Sequence, residues 1–173
     1  MKRTIIFWDV SNFFITLKGL AGQSVRFDFV KFAKALQGND DLIKIYFACS
    51  REREDDKLSG FFNFIDNAPY FYVKDFERSS GGSEKQVDVY LATQMVALAY
   101  ENAYDIAYLI SGDQDFVPAI EIVQQKGKIV VAVSASSAMS SVLKKKADRC
   151  IMIDKETEGQ KAYFYKDFLA NLT

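Results

Sequence analysis

Asp9 closes the apolar run IIFWD and Asp113 closes a second, IAYLISGD. If the two runs are neighbouring parallel strands, their backbones lie about 4.8 Å apart. Their carboxyl ends then open onto one crevice. Asp88 adds a third acid. On a helical wheel it shares a face with Leu91, Ala92, Met95 and Ala99, the face that must pack on a sheet, so its carboxylate points inward and needs a partner. Asp115 stands two residues beyond Asp113, at the start of the following helix. Two carboxylates 5 Å apart repel by about 3 kcal/mol at an effective dielectric of about 20. That is a large fraction of a domain's net stability. Raised pKa values, an inserted Lys or Arg, or a divalent cation would relieve the repulsion. No Lys or Arg follows Asp9 closely, and oxygen-only ligation suits Mg²⁺ or Mn²⁺ better than Zn²⁺. The constellation therefore reads as a hard-cation site. Taken singly, each acid also has a plainer role as a turn or helix-cap residue, Asp115 above all.

Clustered Asp around Mg²⁺ activates water and neutralises charge on a phosphate oxygen. The chain has no His, which excludes Ser-His-Asp and Cys-His catalysis and the usual zinc sites. Phosphodiester hydrolysis satisfies both observations. Asn12, three residues after Asp9, either orients water or a phosphate there or caps the next helix. With 22 Lys+Arg against 23 Asp+Glu, the net charge of −1 gives no bulk attraction for a polyanion, so local groups must hold it. Arg51 after the second strand, Arg78 after the third, Lys85 opening a helix, Asn12, and Ser111 of the Ser-Gly-Asp turn form the candidate substrate-binding set. Arg51 to Lys57 also contains Glu52, Glu54, Asp55 and Asp56, as a solvated helix start would. Lys144–Lys146 with Arg149 suits a helix end. Aromatics crowd FFNFIDNAPYFYVKDF, Phe61 to Phe76; such residues build stacking platforms for single-stranded bases, or pack a helix on a strand.

The elements that must position these residues alternate between strands and helices, the pattern of βαβ units and a parallel sheet. Near-continuous apolar runs predict strands at Thr4–Trp8, Leu42–Ala48, Tyr70–Lys74, Asp105–Ile110, Lys128–Val133 and Cys150–Ile153, covered by helices on both faces. Asp28 caps a helix carrying Phe29, Phe32, Ala33 and Leu36 and ended by Gly38. Ser83 and Gln86 have capping-box spacing for a helix running to about Tyr100. Further helices are expected at Phe116–Gln125, with Pro118 in its first turn, at Ala138–Lys146 and at Tyr163–Leu172. The fold class is thus α/β, with one domain over 1–173. Glu77–Ser83, ERSSGGS, is expected to form a mobile flap beside the site. Cys49 and Cys150 sit in apolar runs as core residues. The apolar stretch of MKRTIIFWDV stops at Asp9, too short for a secretion signal or membrane span, and a cytoplasmic protein is expected. The terminal AYFYKDFLANLT offers either a homodimer contact or docking on its own sheet.

Lys85 to Val133 resembles the core of the NYN domain, a branch of the PIN-like nucleases. FWDVSN at Phe7–Asn12 resembles that family's opening strand, usually Asp-Gly-x-Asn, and LKKKADRCIMID its closing region. The resemblance implies a three-layer α/β/α sandwich with a mainly parallel sheet of PIN-like, Rossmann-like topology, a Mg²⁺ or Mn²⁺ site, and ribonuclease activity on single-stranded or structured RNA. By position, Asp9, Asp88 and Asp113 match the family's metal-binding acids, Asp115 an accompanying acid, and Lys85 a frequent Lys ahead of the helical Asp. Val10 replaces the usual Gly, and Gln94 stands where many members carry Asp. The alternative is a regulatory module that binds RNA or protein through the same cleft with weak catalysis. A third reading is a small-molecule phosphohydrolase.

Overall fold

The computed structural model describes residues 1–51, 56–77, 84–155 and 163–169, with the backbone alone at 51, 56–59 and 84–85. The chain runs β1 (Arg3–Asp9), α1 (Val10–Ala21), α2 (Phe29–Gln37), β2 (Asp41–Arg51), α3 (Asp56–Asp66), β3 (Phe71–Glu77), α4 (Glu84–Tyr100), β4 (Ile106–Ile110), α5 (Val117–Gln125), β5 (Ile129–Ser134), α6 (Ser141–Lys146) and β6 (Arg149–Met152). All pairings in the six-stranded sheet are parallel, in the order β3-β2-β1-β4-β5-β6.

Strand periodicity divides the core in two. Ile6 and Trp8 of β1 face one layer with Phe13 and Leu17 of α1, Phe29 and Phe32 of α2, and Phe62 and Ile65 of α3. Ile5 and Phe7 face the other layer, with Val87, Leu91 and Met95 of α4, Ile120 and Val123 of α5, and Leu143 of α6. The result is a three-layer α/β/α sandwich. The chain builds outward from β1 through β2 to β3, then returns across the opposite face to β4 on the other side of β1. Its topological switch point therefore falls between β1 and β4, where such sheets open a crevice at the strands' carboxyl ends. No described helix is long and apolar enough to cross a membrane.

All six expected strands form, and Asp28 caps α2 as its spacing predicts, accepting from the Lys31 N–H at 2.9 Å. Helix α1 was not among the expected helices; the other differences lie at element ends. The capping residue Ser83 lies outside the described residues, as does 78–83 of the ERSSGGS segment. Lys74 is interior to β3, which extends to Glu77. The helix expected from Phe116 is a 3₁₀ turn over Gln114–Phe116 followed by α5, and α6 starts at Ser141 because the Ser140 hydroxyl caps Leu143 N–H at 3.0 Å. The expected terminal helix is, over the described residues, a 3₁₀ turn at Tyr165–Phe168. Phe168 packs on Phe32, and Leu169 bridges to Phe27, so this segment docks on its own domain. Cys49 is buried as expected; Cys150, on edge strand β6, is only partly so.

Trp8 is completely buried amid the rings of Phe13, Phe29, Phe32 and Phe47, and its indole N–H meets no acceptor among the described residues. Its contribution is therefore packing. Trp8→Phe should cost about 1–2 kcal/mol, well below the roughly 3–5 kcal/mol of Trp8→Ala, in urea unfolding followed by circular dichroism. Equal losses would show that the indole is held by more than its volume.

Candidate active site

Strand β1 passes into α1 without a loop, and Asp9 is both its last residue and the cap of the helix. Asp9 is 5% exposed. Its Oδ1 accepts from the Asn12 N–H at 3.0 Å and its Oδ2 from the Ser111 hydroxyl at 3.4 Å. Charge at this position is favoured by the positive end of the helix dipole. The neighbouring strand supplies the other wall, since Trp8 pairs with Ile110 in adjacent parallel strands, as the acids' placement required.

After Ile110 the chain turns through Ser111, Gly112 and Asp113. Ser111 is buried and works in both directions: it donates to Asp9, and its Oγ accepts from the Asp113 N–H at 3.3 Å. Asn12 Oδ1 accepts from Gly112 N–H at 3.2 Å, tying the first turn of α1 to this loop. The cap of α1 is thus Asp9, and Asn12 is the tie. Asp113 caps the 3₁₀ turn by accepting from Asp115 N–H at 2.9 Å. Gly112 is required by close approach: a Cβ there would lie 2.2 Å from the Ala138 carbonyl oxygen, a backbone atom. Sequence reasoning did not single out Gly112, because the colliding group comes from a loop 26 positions later.

Helix α4 delivers Asp88 from the opposite layer. Val87, Leu91 and Met95 bury its inner face, which leaves Asp88 half-buried at the rim. A cleft of about 70 Å³ is lined by Asp9, Ser11, Asn12, Ile15, Val87, Asp88 and Asp113. Ser11, Ile15 and Val87 were not among the expected residues; they lie beside acids on α1 and α4, and nothing in their types distinguishes them from helix-packing positions. Asp115 is exposed beyond the cleft, yet its charge still reaches Asp88. Burial, then the charges of Asp9, Asp113 and Asp115, and a hydrogen bond to Asp9 push the Asp88 carboxyl up to about 7. Near neutral pH the Asp88 carboxyl is therefore about half protonated. Among the described residues no three acidic or cysteine side chains stand as a ready ion cage. The oxygen-only donor set suits a hard cation, and the Asp88 proton occupies the electrostatic role one would take.

The side chains of Arg51 and Lys85, and all of Arg78, lie outside the described residues. By backbone, Arg51 ends β2 and Lys85 sits one turn ahead of Asp88 on α4. Gln94 lies almost two turns beyond Asp88 and is not among the cleft-lining residues, while Val10 is buried in the core.

The fold is an α/β/α sandwich whose acids gather at its switch point. The NYN domain model matches residues 3–154, and the chain belongs to that family, whose fold is PIN-like. A solved structure from Vibrio parahaemolyticus, a protein of unknown function, superposes with a TM-score of 0.75 over 98% of this chain and 96% of its own, at 22% identity. An uncharacterized protein of Methanocaldococcus jannaschii is 32% identical over 74 residues, 43% of this chain and 31% of that protein.

The raised Asp88 carboxyl makes stability depend on pH. An unfolded Asp titrates near 3.9, so the folded state binds more protons between about 4 and 7, and stability falls as pH rises through that window. Solvent screening at this half-buried position brings the penalty to about 2 kcal/mol. Without divalent ions, Asp88→Asn should melt with the parent near pH 4 and several degrees above it at pH 8, by differential scanning calorimetry. A pH-independent gap would place the proton elsewhere. Gly112→Ala should be destabilising by at least 2 kcal/mol, because backbone must shift to admit the methyl group.

Proposed function

We propose that the protein is a cytoplasmic, divalent-cation-dependent endoribonuclease that hydrolyses RNA phosphodiester bonds. The observation that carries the reading is the meeting of Asp9, Asp88 and Asp113 in one cleft, where burial and then the neighbouring negative charges push the Asp88 carboxyl up to about 7. Such a cleft favours a cation and repels a bare phosphate, so a phosphate can settle there only with the ion in place.

Asp9, Asp88 and Asp113 would hold Mg²⁺ or Mn²⁺, with Asp115 assisting. A bound ion supplies Lewis-acid charge and lowers the pKa of water. The chain's residues do the rest. The Asn12 N–H and the Ser111 hydroxyl fix both oxygens of Asp9, and the Asp115 N–H fixes one oxygen of Asp113, so the acids need little reorganisation when charge develops on phosphorus. The Asn12 link to Gly112 holds the β1 and β4 ends at constant separation. Ile15 and Val87 give the cleft its apolar lining. Asp88 exchanges its proton near pH 7, so loading the cleft with cation must release it.

Two measurements test this. Calorimetric titration with Mn²⁺ in buffers of different ionisation enthalpy should show about one proton released at pH 6 and none at pH 8.5, and Asp88→Asn should abolish the release. Labelled single-stranded RNA should be cut by the parent with Mg²⁺ or Mn²⁺ and at least 100-fold more slowly by Asp113→Asn. Equal cutting by both proteins would sink the assignment, and RNA affinity without cutting would make the domain a binding module.

A further inference from the structure

Strand β3 is an edge of the sheet, and its two faces differ in chemistry. Alternation turns Phe71 and Val73 toward the α1–α3 layer, and the acids Asp75 and Glu77 follow the same parity. Tyr72, Lys74 and Phe76 point the other way. They stand beside Tyr46, Ala48 and Ser50 of β2, their register partners. Helix α4 covers β1 and β2 on this face, and Tyr90 is its contact with the outer stripe, 5.6 Å from Phe76 and 6.4 Å from Tyr46 between ring centroids. Tyr72 is left 42% exposed. Each outward ring carries an ammonium group: Lys44 Nζ lies 4.6 Å from the Tyr72 centroid, and Lys74 Nζ 5.4 Å from that of Phe76.

Strand pairing and a hydrogen bond connect the end of the stripe to the acidic cleft. Phe76 is opposite Ser50, the Ser50 N–H donates to Ser11 Oγ at 3.3 Å, and Ser11 lines the cleft. Glu101, whose charge reaches Tyr46, lies toward the far end. Starting from the acids, a ligand would therefore meet, among the described residues on this face, a ring with a cation, then a second ring with a cation, before meeting another carboxylate.

We propose that Lys44, Tyr72, Lys74 and Phe76 form a track for single-stranded RNA leading into the acidic cleft, bases stacking on the two rings and phosphates meeting the two ammonium groups. This rests on the ribonuclease reading for its occupant. A duplex hides its base faces and cannot use the rings. An extended single strand presents base faces and phosphates side by side, as the stripe presents rings and ammonium groups. The track also answers how a chain of net charge −1 holds a polyanion: Lys44 of β2 and Lys74 of β3 are on one face of the sheet, and the acids of β3 are on the other.

The test is fluorescence anisotropy of a labelled 15-nucleotide single-stranded RNA in EDTA, where no cutting intervenes, with duplex RNA as competitor. Tyr72→Ala should weaken binding about 10-fold and Tyr72→Phe hardly at all, because the phenyl ring still stacks. Lys74→Ala should reduce the slope of log affinity against log salt by about one contact. Tyr72 is exposed and Lys74 partly so, and unchanged thermal melts verify folding. Parent-like affinity and salt slope in both alanine variants, or equal competition by duplex, would overturn the track even if the parent cuts RNA. Weakened binding in these variants with a parent that never cuts RNA would uphold the track and remove the nuclease reading. A parent with no affinity for RNA would end both.

Discussion

Negative charge concentrated at the carboxyl ends of two adjacent strands governs the molecule's chemistry. Asp9 cannot leave the cleft, because it caps α1 and receives Ser111; Asp113 cannot, because it caps the turn that starts the route to α5. Asp88 is carried in by a helix whose neighbouring positions are committed to the core. The repulsion among them is consequently built into the scaffold, and a proton on Asp88 is how the ion-free protein accommodates it. At the opposite end of the same strand the solution is different. Asp105 receives the guanidinium of Arg3 at 2.9 Å, and that ion pair holds its carboxyl down at about 2. One sheet thus carries an acid satisfied within the chain at its amino-terminal edge and acids that strain against each other at its carboxyl-terminal edge. Strain of this kind collects where a ligand is to be bound.

The supporting polar groups are few and each serves two purposes. Ser111 donates to one acid and accepts from the backbone of another. Asn12 joins the first turn of α1 to the loop after β4, and Gly112 lets that loop lie against Ala138, where its carbonyl accepts from Ser140 N–H at 2.9 Å. Ser140 in turn caps α6. The cleft is therefore linked by short hydrogen bonds from α1 through the β4 loop to α6, and its carboxylates sit on helix starts and strand ends instead of on long loops. This rigidity suits electrostatic work, in which donors and charges must be in place before the reaction starts.

Much of this was legible in the amino-acid order because the signals were local. IIFWD and IAYLI are apolar on both faces and had to be central strands, and an aspartate at the end of each had to reach the crevice side. Asp88 was legible from helical spacing. Helix α1 was not read, because Phe14, Ile15 and Leu20 blur the Val10, Phe13, Leu17 stripe, and because a strand entering a helix with no intervening turn residue offers no punctuation. Asn12 looked like a cap, and the cap proved to be Asp9, a residue doing two jobs. The relay through Ser111 and the steric demand on Gly112 depend on contacts over 102 and 26 positions, which no local pattern carries.

The aromatic segment from Phe61 to Phe76 shows how one composition resolves into separate tasks. Phe61, Phe62 and Phe71 join the cluster around Trp8, where ring packing against Phe29 and Phe47 supplies the core of one layer. Tyr72 and Phe76, a strand position away, belong to the opposite face, and their neighbours there are lysines and tyrosines. Parity alone separates the two groups, since residues of like chemistry at odd and even positions of a strand meet different environments. An edge strand anchored on one face by Phe71 and Val73 can leave the other available without loss of the sheet. The same alternation that anchors β3 therefore leaves Tyr72 exposed and Phe76 partly so on the face it shares with α4.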